Sequence, residues 1–153
     1  MRYWEDFAAG QVYELGSYEM TREEIIEFGR RWDPQPFHVD EQAAAASAFG
    51  GLIASGWHTG CVLMRLYVDG LLHDAASMGS PGLDELRWLA PVRPGDVLTV
   101  TLHVLDVTES SKRPDRGTVH LRWEVTTVDG VPVARATGRG MFGRRVPAAP
   151  AAG

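Results

Sequence analysis

The stretch Ser55-Gly56-Trp57-His58-Thr59-Gly60-Cys61-Val62-Leu63-Met64-Arg65-Leu66-Tyr67-Val68-Asp69-Gly70-Leu71-Leu72-His73 decides the architecture. It is the most continuously apolar run in the chain. Its Trp57, Cys61, Met64, Leu66, Val68 and Leu71 fall on more than one helical face, interrupted by Arg65 and Asp69. A helix that is apolar most of the way round is buried in the middle of a domain. The pattern therefore predicts a long central helix from Ser55 to about His73. Ser55 is placed to cap its start, and Gly56 lets the chain pass closely against a neighbour. Cys61, in an apolar helix, reads as inert packing.

On the N-terminal side, Val12, Leu15 and Tyr18 with polar residues between them predict an irregular strand ending at Met20. Thr21-Arg22-Glu23-Glu24 has the spacing of a capping box, with Thr21 as N-cap and Glu24 three residues on. Ile25, Ile26, Phe28 and Gly29 give the following helix an apolar face. Pro34 ends it, because the residue before a proline is pushed out of the helical region. A short Ala-rich helix is expected from Asp40 or Glu41 to about Ala48.

On the C-terminal side the residues turn to Val, Leu, Thr and Trp over Leu83–Leu89, Val97–Thr108, Thr118–Val128 and Val131–Phe142. Val119-His120-Leu121-Arg122-Trp123-Glu124-Val125 alternates as a strand with one buried face. Asp129-Gly130 between two such runs is a hairpin signal, and Pro94-Gly95-Asp96 is a second turn. Lys112-Arg113-Pro114-Asp115-Arg116-Gly117 is a polar connection. A strand, then helices, then an antiparallel meander pack most economically as an α+β sheet wrapped around the central helix.

Composition narrows the function class. The chain has 153 residues and one cysteine. That length suits a single core and leaves no internal disulfide to form. We expect one domain over residues 1–146 and a low-complexity, disordered tail over 147–153. A net charge of −5 argues against nucleic acid as a partner, which demands a basic surface. No apolar run reaches the roughly 20 residues of a membrane span, and the N-terminus lacks a signal peptide's apolar segment. A cytoplasmic protein is expected. Fourteen of the fifteen basic residues are Arg, which reads mainly as a composition preference.

The sharpest local feature is Asp33-Pro34-Gln35-Pro36-Phe37-His38-Val39-Asp40. Two carboxylates and an imidazole lie in a segment stiffened by two prolines. An acid and an imidazole held near one another can share a water, one taking a proton and the other orienting or donating. The same residues also read as turn material, with Asp33 capping a turn, His38 bonding locally and Asp40 capping the Ala-rich helix. Phe49-Gly50-Gly51-Leu52-Ile53-Ala54-Ser55-Gly56 brings a Gly-rich approach to the start of the central helix. Its free N–H groups can hold an anion or a developing oxyanion, or its glycines can simply permit tight packing. His58 reads as a satisfied core or interface residue, and Trp88 and Trp123 read as core. The histidines show no zinc-ligand spacing, and no nucleotide-binding loop is present, so neither metal nor cofactor is expected.

Together these segments resemble the MaoC-like dehydratases, the (R)-specific enoyl-CoA hydratase family. The resemblance rests on Asp33 and His38 at a spacing of five, Asp40 two residues further, the run into Gly56, and Leu89-Ala90-Pro91-Val92-Arg93-Pro94-Gly95-Asp96. It implies a hot-dog fold, usually paired as a homodimer. It also implies reversible syn addition of water to a trans-2-enoyl thioester, giving a (3R)-hydroxyacyl thioester. The acyl-CoA or acyl-carrier thioester is then a substrate and not a cofactor. Carried over, Asp33 and His38 bind the reacting water, with the division of the two proton transfers open between them. The Gly56 N–H faces the thioester carbonyl. Two positions depart from the family pattern: Gln35 replaces the usual loop Asn, and Met64 stands where some members have a serine.

Phe37, Phe49, Ile53, Ser55, Trp57 and Met64 lie near this site in sequence and are the expected substrate-binding residues. The bulk of Trp57 and Met64 points to short or compact acyl groups. A hot-dog thioesterase, using a carboxylate to activate water against the carbonyl carbon, is one alternative. A non-catalytic acyl-thioester-binding subunit is the other.

Overall fold

A computed structural model describes residues 1–146 and residue 149. The expected tail over 147–153 lies, but for that one residue, outside the described residues. Strand β1 (Val12–Glu19) is followed by helices α1 (Arg22–Trp32), α2 (Pro36–Val39), α3 (Glu41–Ala45) and α4 (Gly56–Gly70). Strands β2 (Gly82–Trp88), β3 (Val97–Glu109), β4 (Arg116–Thr127) and β5 (Pro132–Gly143) complete the chain. All pairings are antiparallel, in the order β1-β3-β4-β5-β2, so β1 and β2 form the sheet's two edges.

The sheet follows from its sequence pattern. Burial alternates strictly along β4, where Val119, Leu121, Trp123 and Val125 turn inward. At the Asp129-Gly130 turn, Gly130 has φ 86 and its N–H donates to the Thr127 carbonyl at 2.8 Å. A side chain rarely adopts that backbone angle, which is why glycine follows the aspartate. The sheet's inner face closes on α4 through Val62, Leu63, Leu66 and Tyr67. Full burial of each aliphatic side chain among them contributes about 1.5–3 kcal/mol. This is the α+β hot-dog arrangement expected from the chain.

Four local expectations change. The central helix ends at Gly70, a single 3₁₀ turn (Leu72–Asp74) carries the chain past it, and only one of its faces is buried. Trp57, Cys61, Met64 and Val68 lie on the outer side, so Cys61 is exposed and not packing. The capping box at α1 is half made. Thr21 Oγ accepts the Glu24 N–H at 3.2 Å, but the Glu24 carboxylate accepts the Tyr18 hydroxyl at 2.8 Å. The Ala-rich helix stops at Ala45, short of Ala48. Between α1 and α3 the Pro-stiffened segment is a helical turn, with Pro36 at its start where a missing N–H costs nothing.

Candidate active site

Pro36 and Gly29 together bring His38 to its position. Gly29 of α1 lies against α2 so closely that a Cβ there would stand 3.0 Å from His38 Cβ. His38 is 4% exposed, and its Nδ1 lies 2.7 Å from the Ile53 carbonyl oxygen. A carbonyl only accepts, so Nδ1 carries a proton and donates it. Nε2 is left as the ring's exchangeable position. It faces Asp33 Oδ2 at 3.2 Å.

Asp33 follows the last residue of α1, and both of its oxygens are engaged. Ser55 Oγ donates to Oδ2 at 2.8 Å, and Gln35 Nε2 donates to Oδ1 at 2.8 Å. Burial works against ionisation of this carboxyl. The hydrogen bonds from Gln35 and Ser55 and the nearby His38 outweigh it and hold Asp33 below its ordinary 3.8. Ser55 therefore does not cap α4 with its side chain, as its position predicted. Its hydroxyl reaches back 22 residues to fix the carboxylate. Gln35, the departure from the family's loop Asn, has the same effect from the other side. Asp40 does what its spacing predicts as a cap, with Oδ1 accepting the Ala43 N–H at 2.9 Å.

A cavity of ≈ 340 Å³ opens beside His38. Phe37, Phe49, Ile53 and Gly56 line it, as expected, and so do Thr59, Trp88 and the Leu89–Val92 segment. Phe37 meets the His38 ring edge-on at 4.6 Å, and its own ring lies tilted against Phe49 at 5.0 Å. Gly56 opens α4, so its N–H has no acceptor within the helix and lies at the positive end of the helix dipole. Any residue but proline supplies that N–H; glycine is required because a Cβ would come within 2.5 Å of the Trp88 indole.

Trp57 and Met64 are not brought to this cavity. They line a second, outer cavity of ≈ 370 Å³ between α4 and strands β2 and β5, with Gly60, Tyr67, Leu83 and Leu86. One residue of helical rise turns a side chain through roughly 100°, so Gly56 and Thr59 share one face while Trp57, Cys61 and Met64 share another. Trp88, read as core, is 44% exposed and belongs to the site. Its place near the C-terminal end of the Leu83–Leu89 run was the available signal. His58 is buried as expected but not satisfied, since its Nδ1 has no partner. Among the described residues no group of three His, Cys, Asp or Glu side chains could hold a metal ion.

A sheet wrapped around one helix, with an Asp–His pair set at that helix's N-terminus, defines a hot-dog domain with an acid–base site. The MaoC-like domain model matches residues 6–127, and the chain belongs to this family of hydratases and dehydratases. A MaoC-like dehydratase from Rhodospirillum rubrum, known as a crystal structure, superposes with a TM-score of 0.88 at 41% identity, covering 95% of this chain and 99% of that one. The uncharacterized protein YdeM of Bacillus subtilis is 30% identical over 112 residues, 73% of this chain and 76% of its own length. The 3-hydroxybutyryl-CoA dehydratase of Methylorubrum extorquens is 29% identical over 118 residues, 72% of this chain and 69% of its own.

Proposed function

We propose that this protein is a hydro-lyase that reversibly adds water to a trans-2-enoyl thioester, giving a (3R)-hydroxyacyl thioester. The observation that carries the reading is the His38 proton inventory. With Nδ1 committed to the Ile53 carbonyl, Nε2 alone can exchange a proton, and it faces an Asp33 carboxylate held ionised by two donors.

In the proposed cycle a water sits between the two side chains and beneath C3 of the enoyl group. Asp33 takes a proton from the water as its oxygen bonds to C3. The electron pair of the double bond moves toward the thioester carbonyl, whose oxygen gains charge and is held by the Gly56 N–H. The proton on Asp33 passes to His38 Nε2 across the 3.2 Å between them, and C2 takes it from Nε2, which restores the starting state. One donor to such an oxyanion typically contributes about 2.7–4 kcal/mol. The acyl-CoA or acyl-carrier thioester is the only partner the step requires, and Phe37, Phe49 and Ile53 wall it in. The assignment is to a cytoplasmic enzyme.

The working unit of this proposal is a homodimer. Trp57 is 64% exposed and Met64 47%, and with Cys61 and Val68 they form an apolar stripe along α4. The stripe runs beside edge strand β2, which pairs on one side only, and its exposed Leu83. Contiguous apolar surface of this kind is uncommon on a monomer, and a second copy covers it symmetrically.

The test of the activity is direct. Crotonyl-CoA incubated with the protein should lose its conjugated-enoyl absorbance with no release of free thiol, and the product should be the (3R) isomer. Free CoA appearing first would make the protein a thioesterase, and no change in either signal would make it a binding subunit.

A further inference from the structure

Two of the cavities, the one beside His38 and the one lined by Trp57 and Met64, reach α4 within a single turn of each other. The cavity beside His38 reaches Gly56 and Thr59 of α4, and the outer cavity reaches Trp57, Gly60 and Met64. The Trp88 indole lies along the strip of helix between them. A Cβ on Gly56 would stand 2.5 Å from Trp88 Cε2, and one on Gly60 would stand 3.7 Å from its Cη2. The ring therefore spans both glycines, one bordering each cavity. Trp57 meets it edge-on at 5.9 Å. Past this partition the outer cavity is lined mainly by apolar groups, including Leu63, Leu86, Trp123 and Phe142.

Given the hydratase reading, on which this rests, the geometry points to Trp88 as the residue that sets acyl-chain length: it closes the reacting site against the outer cavity and confines the substrate to short acyl groups. Gly56 and Gly60 are the counterpart of the device, because any larger residue at 56 would expel the indole. Trp57 and Met64 then act on chain length only beyond Trp88, as walls of the space it closes off. An apolar pocket discriminates chain length by about 10–200-fold per methylene where the fit is tight. Removal of the partition should therefore be visible in the substrate profile.

The experiment compares kcat/KM for crotonyl-CoA, trans-2-octenoyl-CoA and trans-2-dodecenoyl-CoA in the parent, Trp88→Ala and Trp88→Phe, with folding checked by circular dichroism. The parent should favour crotonyl-CoA. Trp88→Ala should raise the octenoyl-to-crotonyl ratio about tenfold or more, and Trp88→Phe, which keeps a ring over Gly56, should give a smaller shift in the same direction. Met64→Trp added to Trp88→Ala refills the outer cavity and should cancel the gain. A parent that hydrates crotonyl-CoA while both folded variants keep its profile overturns the role of Trp88 alone, as does a parent that already prefers the dodecenoyl substrate. A parent that hydrates none of the three overturns the hydratase reading and the role of Trp88 together. Should Trp88→Ala fail to fold, the Trp88→Phe profile decides.

Discussion

Asp33 stays ionised because two neighbours donate to it, and neither looks catalytic in the sequence. Ser55 holds one oxygen and Gln35 the other. Ser55→Ala or Gln35→Ala removes a donor to a charged group, so Asp33 rises toward its ordinary 3.8. The acid limb of kcat/KM for crotonyl-CoA should then move to higher pH in each variant, and the lost hydrogen bond, which positions the carboxylate, should separately cost about tenfold near neutrality. A pH–rate profile that keeps its acid limb would remove Asp33 from the base role. The same carboxylate stabilises the fold above pH 3.8, and that contribution is lost as pH falls from there through its lower folded value. The Asp33–His38 spacing was legible in the chain because five residues lie within one proline-stiffened segment. The Ser55 contact was not, because the spacing of neighbours carries no information about a bond across 22 residues.

At the scale of elements, α1 and α4 meet through a stacked pair. The Phe28 and His58 rings lie 4.8 Å apart and 6° from parallel. His58 is buried with no partner on Nδ1, and burial holds it below its ordinary 6.5 against the pull of Glu24. A base with a lowered folded value contributes stability above pH 6.5 that is lost as the pH falls toward the folded value. His58→Leu keeps the volume and removes the unpartnered nitrogen. Its melting temperature should fall less than the parent's between pH 7.5 and about pH 5.5, with little change near neutrality. A parallel fall in both proteins would mean that His58 carries no part of the acid response. The existence of α4 was plain from its apolar run, but the run overstated its burial. Apolar residues on two faces meant a buried face and a face left for something else. Which side chains reach the site depended on helical phase and not on nearness in sequence, so Trp57 and Met64 were grouped with Phe37 and Ile53 although they face the other way.

At the scale of the whole molecule, the meander was the most legible part. Alternation along β4 and the Asp129-Gly130 turn fix a face and a register, and the strands begin and end within two residues of their expected limits. Strand order was less accessible, since β2 crosses the sheet to pair with β5 and no local signal states that partner. The proposed homodimer forms through the outer stripe of α4 beside edge strand β2. Size-exclusion chromatography with light scattering should give twice the 16.8 kDa of one chain, and Val68→Glu should shift the mass toward one. A parent of single-chain mass would leave that stripe without its proposed cover.

The central claim is that Asp33 and His38 together move the protons of hydration. Its most direct test is kcat/KM for crotonyl-CoA hydration in Asp33→Asn and His38→Ala, each with its melting temperature measured beside the parent's. The account predicts a loss on the order of 10²–10⁴ in each variant with the fold retained. Two folded variants that hydrate as fast as the parent would contradict it.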